Sequence, residues 1–285
     1  MRFLFVIITV LIIGGFPKFR NLFNHSALMA GMSIFRSADS YSKDQYDVIF
    51  YKLDLAASDT SIYVSGSALT RVRVVDERID SIALDLVSNY TVDSVLVNDL
   101  AAEFQHDSDI INIDLPEKFS RDQLIDVLVY YHGKGYDSLE VDGIYNRKAD
   151  PYGRYTFTLT EPFSANYWFP CKQIPTDKAD SAYVFITTDS TLKAGSNGIL
   201  DNIVPLPEGK VRYEWKTRHP IAFYLISMAV GKFVDYSFFV YDELHEDSIL
   251  VMNYIYPDPY LERNKSKIDK TAELLTFFRR IFGPY

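Results

Sequence analysis

Cysteine occurs once in the 285 residues, at Cys171, so an internal disulfide and any multi-cysteine zinc site are excluded. Histidine is also scarce: His25, His106, His132, His219 and His245 are all there are. A catalytic zinc site of the helical kind needs two histidines at i and i+4 with a glutamate between them. The nearest match, His245-Glu246-Asp247-Ser248-Ile249, has an isoleucine at the second ligand position and cannot chelate. No GxSxG elbow, P-loop or GxGxxG occurs, and Gly133-Lys134-Gly135 reads as a hairpin turn because no helix follows it. The residues thus supply no catalytic set and no metal site of their own. Basic residues number 29 against 38 acidic, a net charge of −9. Such a chain is repelled by phosphate backbones, which argues against a nucleic-acid partner. Repeats, low-complexity tracts and basic clusters are missing too. Three N-x-S/T triplets, at Asn24, Asn89 and Asn264, arise often by chance and decide nothing.

One long apolar run exists, at the start. Arg2 precedes Phe3–Phe16, a stretch of signal-peptide length and short of the roughly 20 residues a spanning helix needs. Export is the expectation. Lys18 and Arg20 follow the run, and Ala27–Gly31 is a poor cleavage site. A membrane tether at the N-terminus is the alternative, and a true start at Met29 or Met32 would leave the protein cytoplasmic. Residues 1–40 therefore read as a signal or anchor segment with a linker.

What is abundant is aromatic: 21 Tyr and 20 Phe, residues that favour pleated, half-buried surfaces. Alternation follows from Asp47 onward. Ile49, Tyr51, Leu53 and Leu55 share one face; so do Thr70, Val72 and Val74. Ile82, Leu84 and Leu86 alternate with small or polar partners, as do Ile111, Ile113 and Leu115. Ile125, Val127, Val129 and Tyr131 form another row, and Tyr155, Phe157 and Leu159 alternate with three threonines. Turn chemistry at Asp59-Thr60, Ser65-Gly66, Asn98-Asp99, His132–Gly135 and Ser196-Asn197-Gly198 separates the runs. Further strands read at Ala182–Thr188, Val211–Lys216 and Ala222–Val230, the last apolar enough to be buried on both faces. Period-two runs at short spacing specify an all-β antiparallel sandwich or open barrel. After Pro257 the period changes. Leu261, Ile268, Ala272, Leu275, Phe278 and Ile281 fall at helical intervals across Asp258–Phe282, preceded by one strand, Leu250–Tyr256. Arg279 and Arg280 suit the last turn, and Gly283-Pro284 stops the helix. The chain reads as a first module or a fragment whose helix exposes an apolar face.

The most unusual stretch is TEPFSANYWFPCKQIPTDKADS, Thr160–Ser181. It carries Tyr167-Trp168-Phe169, the lone cysteine and two further prolines, where a plain connector would be Gly, Ser, Asn and Asp. Cys171 has no histidine near it in sequence and reads as a packing residue. Glu161 follows a well-patterned strand and precedes Pro162, which restricts the exit of the chain. A lone carboxylate is ordinarily solvated surface; one positioned by a rigid apolar loop can hold a cation or an ammonium group.

That loop resembles the signature of the N-terminal domain of the M1 family of zinc aminopeptidases. Ala194–Leu200 (AGSNGIL) resembles the family's Ser-Asn-Gly turn, and Tyr213–Phe233 its W-x-T-x-P-I-x-x-Y-L stretch. YDVIFYKLDL and GSALTRVRV resemble its opening strands, and AELLTFFRRIFGPY the first helix of its catalytic domain. The resemblance covers about Gln45 to Tyr285 and implies a large, saddle-shaped, sandwich-like β domain over residues 45–247. Residues 248–285 would then begin a thermolysin-like α/β peptidase domain. In the family the Glu of a Q-x-E segment binds the substrate's free α-amine, and Glu161 matches it. The family's Gln falls on Leu159, the implied wall of the pocket for the first side chain. The family's Gly-x-Met-Glu-Asn loop, HExxH helix, distal Glu and catalytic Tyr have no counterparts here. The implied zinc thus belongs to a parent enzyme and not to this chain, which alone is expected to be inactive. Implied partners are peptide substrates and a catalytic domain of its own. A non-catalytic binding or scaffold module of the same fold is the alternative, and a surface adhesion sandwich a third.

Overall fold

The computed structural model describes residues 43–136, 143–242 and 246–283. The apolar run Phe3–Phe16 and His245 lie outside the described residues. In chain order the first strands are β1 (Tyr46–Ala56), β2 (Tyr63–Val74), β3 (Arg78–Asp85), β4 (Tyr90–Val97), β5 (Leu100–Ala101), β6 (Phe104–Asp107) and β7 (Ile110–Ser120). Next come β8 (Leu124–Lys134), β9 (Gly143–Ala149), β10 (Gly153–Leu159), β11 (Lys178–Ala179), β12 (Ser181–Asp189), β13 (Lys193–Ser196) and β14 (Ile199–Leu206). The last are β15 (Lys210–Thr217), β16 (Ile221–Ala222), β17 (Met228–Gly231), β18 (Val234–Asp235), β19 (Phe238–Asp242), β20 (Asp247–Val251) and β21 (Tyr254–Ile255). Two helices follow, α1 (Tyr260–Ile268) and α2 (Lys270–Phe282).

Eight strands make the main sheet, in the order β14-β15-β12-β1-β2-β8-β4-β5. Its pairs are antiparallel except β1 with β12, which run parallel. Smaller sheets have the orders β13-β17-β10-β9 and β3-β7-β6. One buried core joins all three: Leu53, Val72, Val127 and Val184 from the main sheet, Val230 and Tyr155 from the four-stranded sheet, and Ile82 and Ile111 from the three-stranded one. Each such side chain, fully buried, contributes roughly 1.5–3 kcal/mol. The expected all-β class holds.

Most predicted faces hold as well. Ile125, Val127, Val129 and Tyr131 are buried together, as are Thr70, Val72 and Val74. Ile49 does not join its row. A β-bulge between Val48 and Phe50 shifts the register, so Tyr46 and Val48 share the inner face with Tyr51, Leu53 and Leu55. In β10 Tyr155 is buried as expected, but so are Thr156 and Thr158, with Thr160 just past its end, while Leu159 is 44% exposed. Ser65-Gly66 and Gly133-Lys134 are not turns but lie within β2 and β8. Gly66 has φ +147°, and a Cβ there would stand 2.1 Å from the Asp54 carbonyl oxygen. Glycine serves a close backbone approach at this point, not a reversal.

The expected strand Ala222–Val230 is interrupted by a 3₁₀ turn, Phe223–Leu225, which leaves Leu225 44% exposed. The expected strand Leu250–Tyr256 divides between β20 and β21. The single expected helix divides at Asp269. There Tyr236 donates its hydroxyl to the Asp269 carboxylate, and the Lys265 ammonium lies 4.8 Å from the Tyr236 ring. A second, smaller core joins Val240, Ile249 and Val251 of the β19–β20 hairpin to Leu275 of α2. Away from Leu275, α2 is apolar and open, with Phe277 56% and Ile281 59% exposed.

Candidate functional site

The exit of β10 carries the residues that matter. Backbone pairing of β10 with β17 reaches Phe157 and Ala229, and its pairing with β9 brings Leu159 opposite Gly143. Strand alternation turns Thr158 inward and Leu159 outward; just past the strand Thr160 is buried and Glu161 exposed. Thr158 Oγ1 accepts from the Met228 N–H at 2.9 Å, and Thr160 Oγ1 donates to the Tyr224 carbonyl at 2.8 Å. Glu161 and Pro162 are exposed, and the peptide between them is cis. Phe163 beside them is 46% exposed. The Ser164 N–H closes the turn on the Thr160 carbonyl at 3.2 Å. Among the described residues no side-chain hydrogen bond or ion pair engages the Glu161 carboxylate.

Behind Glu161 the loop is a buried plug. Trp168, Phe169 and Cys171 are fully buried. The Phe169 ring meets Trp168 at 4.8 Å and Tyr51 at 5.7 Å, both edge-on. A buried loop must satisfy its backbone, and this one does so against its neighbours. Tyr131 donates its hydroxyl to the Trp168 carbonyl and Tyr90 to the Tyr167 carbonyl, each at 2.9 Å. The Val87 N–H donates to the Asn166 carbonyl at 3.0 Å. Asp85 and Cys171 exchange both backbone bonds, at 2.7 and 3.1 Å. That bridge buries Asp85 at the end of β3, where alternation alone would have exposed it. Its carboxylate accepts from Lys43 Nζ at 2.5 Å and from the Gln173 N–H at 3.0 Å.

Lys172 anchors the far side of the plug. Its ammonium meets Asp177 Oδ2 at 2.5 Å, donates to the Tyr46 carbonyl at 2.5 Å and lies 4.6 Å from the Tyr46 ring. Burial, only partly offset by Lys172, pushes the Asp177 carboxyl above its ordinary value. Burial also pushes the Cys171 thiol well up, helped by the Asp85 charge. A thiol held protonated in an apolar site is a packing group and a poor nucleophile, as the sequence reading expects.

The other motifs converge on the same place. Asn197 Oδ1 accepts from the Ser227 N–H at 2.7 Å, and Ser196 Oγ donates to the Ser227 carbonyl at 2.7 Å. Trp215 Nε1 donates to the Ala194 carbonyl at 2.9 Å. The Ser-Asn-Gly turn thus fixes the chain between Tyr224 and β17, and Tyr224 in turn fixes Thr160. The Thr160–Tyr224 and Lys172–Asp177 contacts escape sequence reasoning. The inward threonines in YTFTLT are the signal for the first; nothing local announces the second.

Among the described residues no group of three or more His, Cys, Asp or Glu is placed to hold a metal ion. Zinc does not fit the described residues. What the arrangement does chemically is present one carboxylate with its full hydrogen-bonding capacity free, at the rim of a plug held from several sides.

The profile of the peptidase M1 N-terminal domain matches residues 44–225, more than half of the chain. No curated protein matches the chain by sequence. Among solved structures, the chain is similar to an M1 zinc metallopeptidase from Deinococcus radiodurans at 20% identity and a TM-score of 0.70, with 85% of this chain and 54% of that one covered. A mutant of the M1 zinc metallopeptidase of that organism, bound to a Tyr-Ser-Ala substrate, gives the same identity, coverage and TM-score. A mutant of a two-domain M1 zinc metallopeptidase bound to L-tryptophan gives 19% identity and a TM-score of 0.71, with 85% and 55% covered. These likenesses speak for the fold, and the chain spans about half the length of each. The chain belongs to the M1 peptidase family, and residues 44–225 match its N-terminal domain.

Proposed function

We propose that this chain supplies the N-terminal domain of a zinc metallo-aminopeptidase, and that Glu161 binds the free α-amine of the peptide substrate. One observation carries the reading. Glu161 is an exposed carboxylate without a side-chain partner among the described residues, held at the end of a strand that Thr160 and the buried plug both restrain. A carboxylate and an ammonium in contact form a charge-assisted hydrogen bond worth roughly 1.5–3 kcal/mol. Holding the amine there sets the first peptide bond a fixed distance away and disfavours blocked or internal segments. Leu159, level with Gly143 and half-exposed, forms part of the wall beside the first side chain. In this reading the hydrolytic chemistry belongs to the peptidase domain and not to the residues described here. In this reading residues 248–285 begin that domain. Export or tethering by residues 1–40 places the enzyme outside the cytoplasm.

The test is kinetic, in the protein carrying its peptidase domain. Glu161→Ala lowers kcat/KM for free-amine aminoacyl anilides by about 10–100-fold, the loss of one charged hydrogen bond, with little change in thermal midpoint. Wild-type kinetics in the variant would refute the assignment. Failure of any chain bearing the peptidase domain to cleave such substrates would favour the scaffold alternative.

A further inference from the structure

We propose that Thr160 is a positioning residue for substrate amine recognition, acting through its bond to the Tyr224 carbonyl. The proposal rests on the assignment of Glu161 as the amine-binding carboxylate. Backbone pairing between β10 and β17 is last seen at Phe157 and Ala229. Beyond it, side-chain hydroxyls continue the link between the two segments, Thr158 to Met228 and Thr160 to Tyr224. Thr160 is 3% exposed, so water does not compete for its bond.

The acceptor is itself immobile. Tyr224 lies in the 3₁₀ turn Phe223–Leu225, whose flanks Phe223 and Ile226 are buried. The turn closes through the Ile226 N–H on the Phe223 carbonyl at 3.2 Å. One residue on, Ser227 is gripped by Asn197 and Ser196. A single hydroxyl therefore ties the first residue past the strand to the turn at Phe223–Leu225. Thr160 is directly bonded to Glu161 and lies one residue past the strand, so anchoring Thr160 limits where the Glu161 backbone can stand. A displacement of about 1 Å at such a group is enough to weaken recognition substantially.

Thr158 provides the internal control. It makes the same kind of inward bond, but within the strand, where β9 also pairs with that part of the backbone. Loss of its hydroxyl disturbs packing without releasing the exit.

The experiment compares Thr160→Val, Thr160→Ser, Thr158→Val and Glu161→Ala in the protein carrying its peptidase domain, with leucine p-nitroanilide as substrate. Thr160→Val is expected to raise KM about tenfold with kcat within about twofold, because the lost contact is made in both ground and transition states. Thr160→Ser, which keeps the hydroxyl, restores KM. Thr158→Val lowers the thermal midpoint and leaves KM near wild type. A wild-type KM in Thr160→Val beside a raised KM in Glu161→Ala overturns the role of Thr160 and leaves that of Glu161 standing. An equal rise in Thr158→Val reduces the effect to general loosening and also overturns it. A wild-type KM in Glu161→Ala overturns the parent assignment instead. Should Thr160→Val fail to fold, Thr160→Ala tests the same loss with the same outcomes.

Discussion

Replacing Lys172 by methionine removes the cation that neutralises a buried carboxylate. The two side chains are 5% and 7% exposed and meet at 2.5 Å. Without Lys172, the Asp177 carboxylate keeps the bond from the Val48 N–H, at 3.2 Å. Breaking one side of a buried pair costs roughly 3–5 kcal/mol, which for a domain of this size is a fall of about 6–20 °C in thermal midpoint. Lys172→Met together with Asp177→Leu removes both charges and their desolvation cost, so most of the loss returns. The pH dependence has a defined sign. The Asp177 carboxyl already lies above its ordinary value of 3.8 because burial outweighs the pull of Lys172. Its contribution is therefore full below that ordinary value and is lost as pH rises through the raised one. In Lys172→Met the pull is gone and the carboxyl moves higher still, so the deficit shrinks as pH falls from neutral toward 4. The assay is urea unfolding followed by the fluorescence of Trp168 and Trp215, both buried. A Lys172→Met deficit below about 1 kcal/mol, or a double variant no better than the single, would refute the account of the plug.

Two further outcomes follow from the same core. Cys171, fully buried and held protonated, stays unmodified by iodoacetamide at pH 8 in the folded protein and reacts once guanidinium unfolds it; rapid alkylation of the native protein would contradict this. Gly66→Ala forces a Cβ onto the Asp54 carbonyl at φ +147° and should cost roughly 3 kcal/mol in a urea titration, against a near-neutral effect if this were a free turn.

The main sheet was readable because burial there is one-sided. Strands such as β8 carry their apolar residues on alternate positions, and the structure buries those same positions. Reading failed where the backbone departs from the period. The bulge at Val48–Phe50 moved Ile49 off its row, and the 3₁₀ turn at Phe223–Leu225 broke an apolar run that looked continuous. It failed again where hydrogen bonding outranked hydropathy. Thr156 and Thr158 of β10, and Thr160 just past it, are buried because each hydroxyl has a partner there: Ser61 and Asn146 for Thr156, Met228 for Thr158, Tyr224 for Thr160. Asp85 is buried because it meets Lys43 and the Cys171 backbone, contacts far apart in sequence. The loop Thr160–Ser181 stood out by composition, but what its aromatics do became visible only with Tyr90 and Tyr131 donating to its carbonyls.

The central claim, that Glu161 receives the substrate's free amine, is tested most directly by a crystal structure of the protein with its peptidase domain and a bound amino acid such as L-leucine. The account predicts the α-ammonium within about 3 Å of a Glu161 carboxylate oxygen, with Thr160 still bonded to the Tyr224 carbonyl. An ammonium held by other groups, with Glu161 turned to solvent, would contradict it.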